Sequence, residues 1–146
     1  MSSSERGSRA WAILFARLVL GFIFFMAGVY KVFRLGPLEH ARKYFLPFAH
    51  TFLPVWSLWA TGTVIPIVEF LAGMMLIIGL RVREALIALG FVLVIVTFGH
   101  LVENPLYPFH EHVIPRLALL VFVLLFPADD DRISVDYLLS QANKIG

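Results

Sequence analysis

Residues 10–33 read AWAILFARLVLGFIFFMAGVYKVF, and Arg17 and Lys31 are the charged residues among them. A helix needs about 20 mainly apolar residues to cross about 30 Å of hydrocarbon, so this stretch predicts a transmembrane helix. Arg9 precedes the stretch and Arg34 follows it, as expected for basic residues that anchor a span at the membrane surface.

The composition of the whole chain fits the same environment. Of its 146 residues, 60% are hydrophobic and 15% are charged, whereas soluble proteins average about 45–50% apolar and about 25% charged residues. A soluble domain of this size exposes too much surface to hide such a composition. The formal net charge of +2 is too small to indicate nucleic-acid binding. The absence of cysteine excludes thiol chemistry and cysteine-ligated metals for this chain.

Three further apolar stretches are long enough to cross the membrane as helices. They occupy residues 56–80, 84–102 and 108–128. The last is the weakest, because uncharged sequence is continuous only over 117–128 and Pro115 and Arg116 lie just before it. Four spans are predicted, and three spans plus a re-entrant piece are the alternative.

The sequence therefore predicts an all-α membrane protein, a bundle of four transmembrane helices that forms a single membrane domain over residues 1–146. Residues 129–146 are expected to form a polar tail. An interfacial helical segment is predicted between helices 1 and 2, because its apolar residues fall within an arc of about 80°. These residues are Leu38, Ala41, Phe45, Phe48 and Phe52. Pro47 and Pro54 interrupt the segment, which indicates a broken or bent helix.

Small and polar residues share one face on each of the first two predicted helices. They are Arg17, Gly21, Gly28 and Lys31 on the first helix, and Gly62, Glu69 and Gly73 on the second. Small residues let helices approach closely in lipid, and buried polar groups belong on the same face. A charge in hydrocarbon costs about 2.5–3.5 kcal/mol on insertion scales, so each one needs a partner. We therefore predict an Arg17–Glu69 ion pair or its water-bridged equivalent.

This pair has two interpretations. It either holds the bundle together, or Glu69 handles protons or contacts a quinone-like or other small ligand. His100, at the end of the third span, is a further candidate for contact with a ligand.

A second polar cluster is expected where the third span ends and the fourth begins. It comprises His100, Glu103, His110, His112 and Arg116, with Lys31 at the same level. His110 and His112 would diverge by about 200° on a helix, so their spacing fits no standard metal or haem site. The interpretation is a wet, titratable rim that serves as a docking surface.

Three stretches of the sequence resemble motifs of the DoxX family of small membrane proteins. Residues 17–31, RLVLGFIFFMAGVYK, resemble its first helix, and residues 69–85, EFLAGMMLIIGLRVREA, resemble its second helix and the basic turn that follows. Residues 132–136, RISVD, are similar to its C-terminal Arg-Tyr-Ser-Leu-Asp motif. One departure is that residues 129–131 are three aspartates where the family usually has glycines.

The resemblance covers residues 10–140 and implies a four-helix bundle associated with redox or oxidative-stress complexes. The family takes its name from a subunit of a thiosulfate:quinone oxidoreductase. Our first hypothesis is a non-catalytic accessory membrane subunit of a larger, quinone- or redox-linked complex. The alternatives are a quinone-binding or other lipophilic-ligand-binding oxidoreductase subunit that uses Glu69 for proton handling, and a small oligomeric transporter or channel.

The expected partners are the lipid bilayer, other membrane or peripheral subunits and further copies of this chain, with no nucleic acid. A quinone is the cofactor that these hypotheses imply, and the histidine spacing disfavours haem or a metal. Enzymatic activity is left open, because no motif of a self-contained enzyme occurs in the sequence. We expect a multi-pass protein of a bacterial or archaeal cell membrane. The basic turn at Arg81 and Arg83 favours cytoplasmic termini.

Overall fold

The computed structural model describes residues 3–126 and 128–145, and all regular structure within them is helical. Its elements are α1 (Ser3–Val29), a π-helical continuation (Tyr30–Leu35), α2 (Pro37–Tyr44), a 3₁₀ turn (Leu46–His50), α3 (Val55–Ile78), α4 (Val82–Glu103), α5 (Val113–Leu124), a second 3₁₀ turn (Ala128–Asp130) and α6 (Val135–Ile145). The predicted domain also contains Met1, Ser2, Pro127 and Gly146, which lie outside the described residues.

In the described part of the chain, three helices are long and apolar enough to cross a membrane. They are Ser4–Leu35, which joins α1 to its continuation, Val55–Ile78 and Val82–Glu103, with mean hydropathies of 2.3, 2.0 and 2.5. α5 has 12 residues, which extend about 18 Å at 1.5 Å per residue. That is shorter than the hydrocarbon layer of about 30 Å. Within the described residues, the prediction of an all-α membrane protein is therefore confirmed, with three helices long enough to span and one shorter apolar helix. The fourth span stays a prediction.

The fourth predicted stretch is helical over Val113–Leu124 and not over residues 108–128. Pro108 disfavours helix at the residue before it, and this region forms turns in which the Tyr107 N–H donates to the Asn104 carbonyl. Pro115 fits within the first turn of α5, where backbone N–H groups have no helical partner.

α1 and α3 pack antiparallel, with glycines at their points of closest approach. A Cβ atom added to Gly28 would lie 2.5 Å from Phe70 Cα, and one added to Gly73 would lie 2.8 Å from Phe25 Cα. At Gly21 the nearest atom would be Ile77 Cγ1 at 3.0 Å. Larger side chains would separate the two backbones, so these glycines fix the distance between the helices.

Leucines from three helices fill the centre of the bundle beside this contact. Leu20 of α1, Leu76 of α3 and Leu89 of α4 are completely buried. By contrast, Phe15 and Phe91 are 60% and 66% exposed on the outer surface. A membrane-embedded bundle is expected to have an apolar outer surface, because the lipid tails around it are as apolar as leucine side chains.

The segment between the first two long helices is helical, and it buries only part of the predicted apolar face, together with His40. Leu38 is 66% and Phe52 is 77% exposed, whereas His40 and Ala41 are buried against α3. The helix ends at Tyr44, so the residues that follow do not continue its face. Ala41 fits because a Cβ atom on Gly62 would lie 2.7 Å from the Ala41 Cβ. That this segment lies in the membrane interface stays a prediction.

Candidate functional site

Lys31 and Glu69 form an ion pair within the bundle. Lys31 lies in the π-helical continuation of α1, and its Nζ donates a 2.6 Å hydrogen bond to Glu69 Oε2 on α3. The Glu69 side chain is 7% exposed and the Lys31 side chain 26% exposed. Both charges lie in helices of spanning length, where an unpaired charge is costly. The pair therefore keeps a lysine inside the bundle with its ammonium group partly accessible.

Arg17 pairs with Asp131 and not with Glu69, which corrects the predicted Arg17–Glu69 pair. Arg17 Nε lies 3.2 Å from Asp131 Oδ2, and the two side chains are 1% and 9% exposed. Its Nη1 donates to the Leu76 carbonyl in the last turn of α3, and its Nη2 donates a 2.7 Å hydrogen bond to the Ile133 carbonyl. A cation at a helix C-terminus satisfies free carbonyls and interacts favourably with the helix dipole.

The axial register of α1 against α3 explains this change of partner. The contacts at Gly21 and Gly28 place Arg17 beside the C-terminal end of α3. Glu69 lies nine residues before Ile78, the last residue of α3, which is about 14 Å along the helix axis at 1.5 Å per residue. α1 begins at Ser3, 14 residues before Arg17, so Arg17 lies well inside α1 and yet level with the end of α3.

Asp131 is the last of the three consecutive aspartates at 129–131, and it was not among the predicted site residues. Burial raises the pKa of the Asp131 carboxyl above its usual range, and the positive charge of Arg17 opposes that rise. Its two oxygens accept no hydrogen bond from the residues described. The signal for Asp131 in the sequence is the buried Arg17 itself, which needs an acid at its own level in the bundle.

The C-terminal segment docks on the turn between α3 and α4. Asp136 accepts hydrogen bonds from the backbone N–H groups of Arg81 (2.8 Å) and Val82 (2.9 Å), and so caps the start of α4. The Asp136 N–H donates to the Gly79 carbonyl at 2.9 Å. Gly79 has φ = 72°, and a Cβ atom there would lie 2.7 Å from Ser134 Cβ. The tail motif therefore holds α3 and α4 together at their turn.

His40 is a second buried polar residue that was not among the predicted site residues. It is 4% exposed, and its Nδ1–H donates a 2.7 Å hydrogen bond to the Gly62 carbonyl of α3. In a continuous helix that carbonyl would accept from the N–H of residue 66, but residue 66 is proline. His40 therefore satisfies an acceptor that Pro66 leaves unpaired, and the proline is the sequence signal for it.

The hydrogen bond to Gly62 also sets the tautomer of His40. A carbonyl oxygen only accepts, so Nδ1 carries the proton, and Nε2 of the neutral ring is an acceptor. Burial lowers the pKa of His40 below its ordinary value; the bond to Gly62 and the charge of Glu69 oppose this, and the charge of Lys31 reinforces it. The neutral ring is therefore the favoured form near pH 7.

A cavity of about 500 Å³ lies between the π-helical continuation of α1, α2, α3 and the end of α4. Its apolar walls include Phe45, Phe48, Leu58, Ile65, Ile95 and Phe98. Lys31, His40 and His100 contribute polar groups to the same lining. Small-molecule sites typically enclose about 300–1,000 Å³ with apolar walls and a few placed polar groups. We name this space the α2–α3–α4 cavity.

Of the four buried candidates from the sequence, Lys31 and His100 line the α2–α3–α4 cavity. The ring of His100 stacks on Tyr107, with centroids 4.1 Å apart and planes 7° apart. Glu69 contacts this region through Lys31 and is not part of the lining. Arg17 lies with Asp131 at the C-terminal end of α3, away from the cavity.

The residues of the predicted rim do not form one cluster. Glu103, His110 and His112 are exposed. The Nε2 atoms of the two histidines each lie 3.8 Å from the Glu111 carboxylate. Arg116 is half-buried and turns toward α1, with its guanidinium 5.9 Å from the centre of the Phe24 ring. Within the described residues, no three His, Cys, Asp or Glu side chains are grouped to hold a metal ion.

The fold and these polar contacts define a class, a small helical integral membrane protein with several spans and with paired charges between them. The sequence profile of the DoxX family matches residues 12–101, and the chain belongs to the DoxX family. The matched region contains the α2–α3–α4 cavity and the Lys31–Glu69 pair. No curated protein and no solved structure matches the chain.

Proposed function

We propose that this DoxX protein is an accessory membrane subunit that holds a lipophilic ligand with a polar ring, of the quinone class, in the α2–α3–α4 cavity. The observation that carries the proposal is the composition of the cavity. Aromatic and aliphatic side chains line a space of about 500 Å³, and Lys31 lines the same space. Apolar walls with a few convergent polar groups are the usual form of a ligand site.

Lys31 is the proposed contact to the polar end of the ligand. Its Nζ has three donor hydrogens, and Glu69 Oε2 accepts one of them. A quinone carbonyl would accept another without breaking the ion pair. A charge-assisted hydrogen bond in a water-poor site contributes more than a neutral one, so Lys31 would supply much of the specificity for a carbonyl oxygen.

Glu69 acts through Lys31 in this proposal. The carboxylate neutralises the lysine and holds its Nζ at 2.6 Å, which limits the directions in which the ammonium group can point. A proton that moves between Glu69 and a bound ligand would pass through Lys31, because Lys31 lines the cavity and Glu69 does not. Glu69 is therefore a positioning residue, and Lys31 is the contact.

The proposal assigns electron transfer to a partner subunit, since without cysteine this chain has no thiol pair or cysteine-ligated cluster of its own. The exposed part of the predicted rim, Glu103 with His110 and His112, is the proposed docking surface for that partner. It follows His100 at the end of α4, and His100 lines the cavity, so a docked partner would lie close to the bound ligand.

We also propose that both termini face the cytoplasm.

The experiment compares two glycines of α4 that differ in their position relative to the cavity. Gly99 lines the cavity, and a Cβ atom there meets no atom within 4 Å, so Gly99→Leu fills the space without a clash at Cβ. Gly90 lies outside the lining, and its added Cβ would make only an ordinary contact of 3.9 Å with Leu120. Gly90→Leu is therefore the matched control, with the same gain in helix propensity.

The readout is the thermal stabilisation of the detergent-solubilised protein by decylubiquinone, because a ligand that binds the folded state raises the melting temperature. We expect Gly99→Leu to weaken binding at least about tenfold, or about 1.4 kcal/mol, and Gly90→Leu to bind as the wild type does. Equal binding by all three proteins would show that the ligand does not occupy this cavity. Absence of stabilisation of the wild type would reject the proposed ligand class.

A further inference from the structure

The α2–α3–α4 cavity contains a hydrogen-bond acceptor that the proposed contact with Lys31 does not use. His40 lines the cavity and is 4% exposed. Its Nδ1–H is committed to the Gly62 carbonyl at 2.7 Å. The ring is set between Tyr44 and Phe45, with centroid distances of 5.2 and 5.6 Å, so its orientation is fixed on several sides. Nε2 is the remaining polar atom of this ring.

An acceptor that a bound ligand cuts off from water needs a donor on that ligand. Nε2 makes no hydrogen bond with the residues that the structure describes, and it is not among their fully buried unpaired atoms, so it borders open space. The cavity thus offers a donor at Lys31 and an acceptor at His40. A ligand that fits both presents one oxygen that accepts a hydrogen bond and one hydroxyl that donates one.

We propose that His40 Nε2 accepts a hydrogen bond from a ligand hydroxyl, so that the cavity prefers a quinol or another hydroxylated ring to the corresponding quinone. This inference rests on the proposed function and adds its selectivity. A quinone has two acceptor oxygens; one accepts from Lys31, and the other would face the lone pair of His40. A quinol accepts from Lys31 with one hydroxyl and donates to His40 with the other. His40 is a specificity-determining residue on this account.

The neutral state of His40 is consistent with this role. Burial, the largest influence, lowers the pKa of His40. The charged groups that act on it are Lys31 from the continuation of α1 and Glu69 from α3, and these two have opposite signs. Tyr30 on the continuation of α1, Tyr44 on α2 and His100 on α4 are the further titratable groups that line the same cavity. A doubly protonated ring would have no acceptor, and the preference would be lost.

The test uses decylubiquinol under anaerobic conditions, decylubiquinone, and the dimethyl ether of the quinol. The ether keeps the ring and removes both donors. Dissociation constants for detergent-solubilised wild type are expected to be at least about tenfold lower for the quinol than for the other two ligands, a difference of about 1.4 kcal/mol. Equal affinity for quinol and quinone would overturn the inference and leave the proposed function intact. No binding of any ligand would reject the proposed function itself.

Two substitutions at His40 separate the acceptor from its structural role. In His40→Asn, the amide nitrogen replaces the Nδ1–H donor to Gly62 and no acceptor remains at the place of Nε2. In His40→Gln, the terminal amide oxygen reaches that place. We expect the quinol preference to disappear in the first variant, because quinol loses its acceptor and quinone no longer faces the lone pair of Nε2. The preference should return in part in the second variant. A preference that survives in His40→Asn would overturn the proposal, and size-exclusion profiles and circular dichroism confirm that each variant is folded.

Discussion

Replacement of Gly28 by alanine tests the contact on which the arrangement of the bundle depends. The new Cβ would lie 2.5 Å from Phe70 Cα, a backbone atom that cannot turn away. Carbon atoms in contact lie about 3.5–4.0 Å apart, so α1 and α3 must separate locally by about 1 Å. A radial gap of that size forfeits about a quarter to a half of the dispersion energy between the atoms concerned.

The magnitude follows from two opposing effects. Overpacking in a well-packed interior costs about 1–3 kcal/mol, and we take the upper value because the contact is with backbone. Glycine to alanine within a helix returns up to about 1 kcal/mol. The net loss of about 2 kcal/mol corresponds to a melting temperature lower by about 4–8 °C for a chain of this size. Gly28→Ala should also weaken the Lys31–Glu69 pair, since Lys31 is three residues further along the same helix.

The assay is thermal unfolding in detergent followed by circular dichroism, with two alanine controls. Gly90→Ala places its Cβ 3.9 Å from the nearest atom, Leu120 Cδ1, and should melt at or slightly above the wild-type temperature. Gly21→Ala meets Ile77 Cγ1 at 3.0 Å; this atom belongs to a flexible side chain, so the loss should be intermediate. If Gly28→Ala melted within about 2 °C of Gly90→Ala, the close packing of α1 on α3 would be refuted.

Three further predictions concern the polar residues. Glu69→Met should lower the melting temperature strongly, because it leaves the Lys31 ammonium unpaired. The double variant Glu69→Met with Lys31→Met should recover most of the stability in the same melting assay. An equal loss of stability in the single and the double variant would contradict the pairing. Asp131→Asn removes the counter-charge of Arg17 and should lower the free energy of unfolding by about 2 kcal/mol. This is below the 3–5 kcal/mol typical of a broken buried pair, because Arg17 keeps its carbonyl partners. Limited proteolysis should then release the C-terminal segment, and an unchanged digestion pattern would count against the docked tail. Folding lowers the pKa of His40, so the contribution of its neutral ring to stability is complete above the unfolded pKa of about 6.5 and is lost as the pH falls from there through the folded pKa. As the pH is lowered over this range, the melting temperature should fall for the wild type and fall less for His40→Asn. Parallel curves would exclude His40 as the titrating group.

The sequence was sufficient for those features of the fold that depend on the length and composition of single stretches. Residues 10–33, 56–80 and 84–102 are apolar over a span's length, and the structure has long helices there. The prediction for residues 108–128 was wrong in part, because Pro108 and the turns around it shorten the helix. The periodicity of apolar residues does not show where such a turn ends.

The pairing of charges could not be predicted, because it depends on how far one helix slides along another. Periodicity fixes the face on which Arg17 and Glu69 lie and leaves their relative depth open. The depth is set by glycine contacts such as Gly28 against Phe70 and by the extension of α1 beyond Arg9. A one-turn error in register is about 5.4 Å, which is enough to exchange the partners of a buried charge.

His40 shows a different limit. In the amphipathic pattern its polarity places it on the outer face of α2, yet it is buried because Pro66 leaves the Gly62 carbonyl without a donor. The signal is present in the sequence as a proline within an apolar span. The identity of the donor is not, since His40 and Gly62 are 22 residues apart and on separate helices.

The most direct test of the account is to find where a quinone analogue binds. We would label the detergent-solubilised protein with an azido derivative of decylubiquinone, illuminate it and locate the modified peptides by mass spectrometry. We expect labels on cavity residues of α3, of α4 and of the segment that follows α2, such as Leu58, Phe98 and Phe45, and their loss in Gly99→Leu. Labels spread over outward-facing residues such as Phe15 and Phe91, with no change in Gly99→Leu, would contradict it.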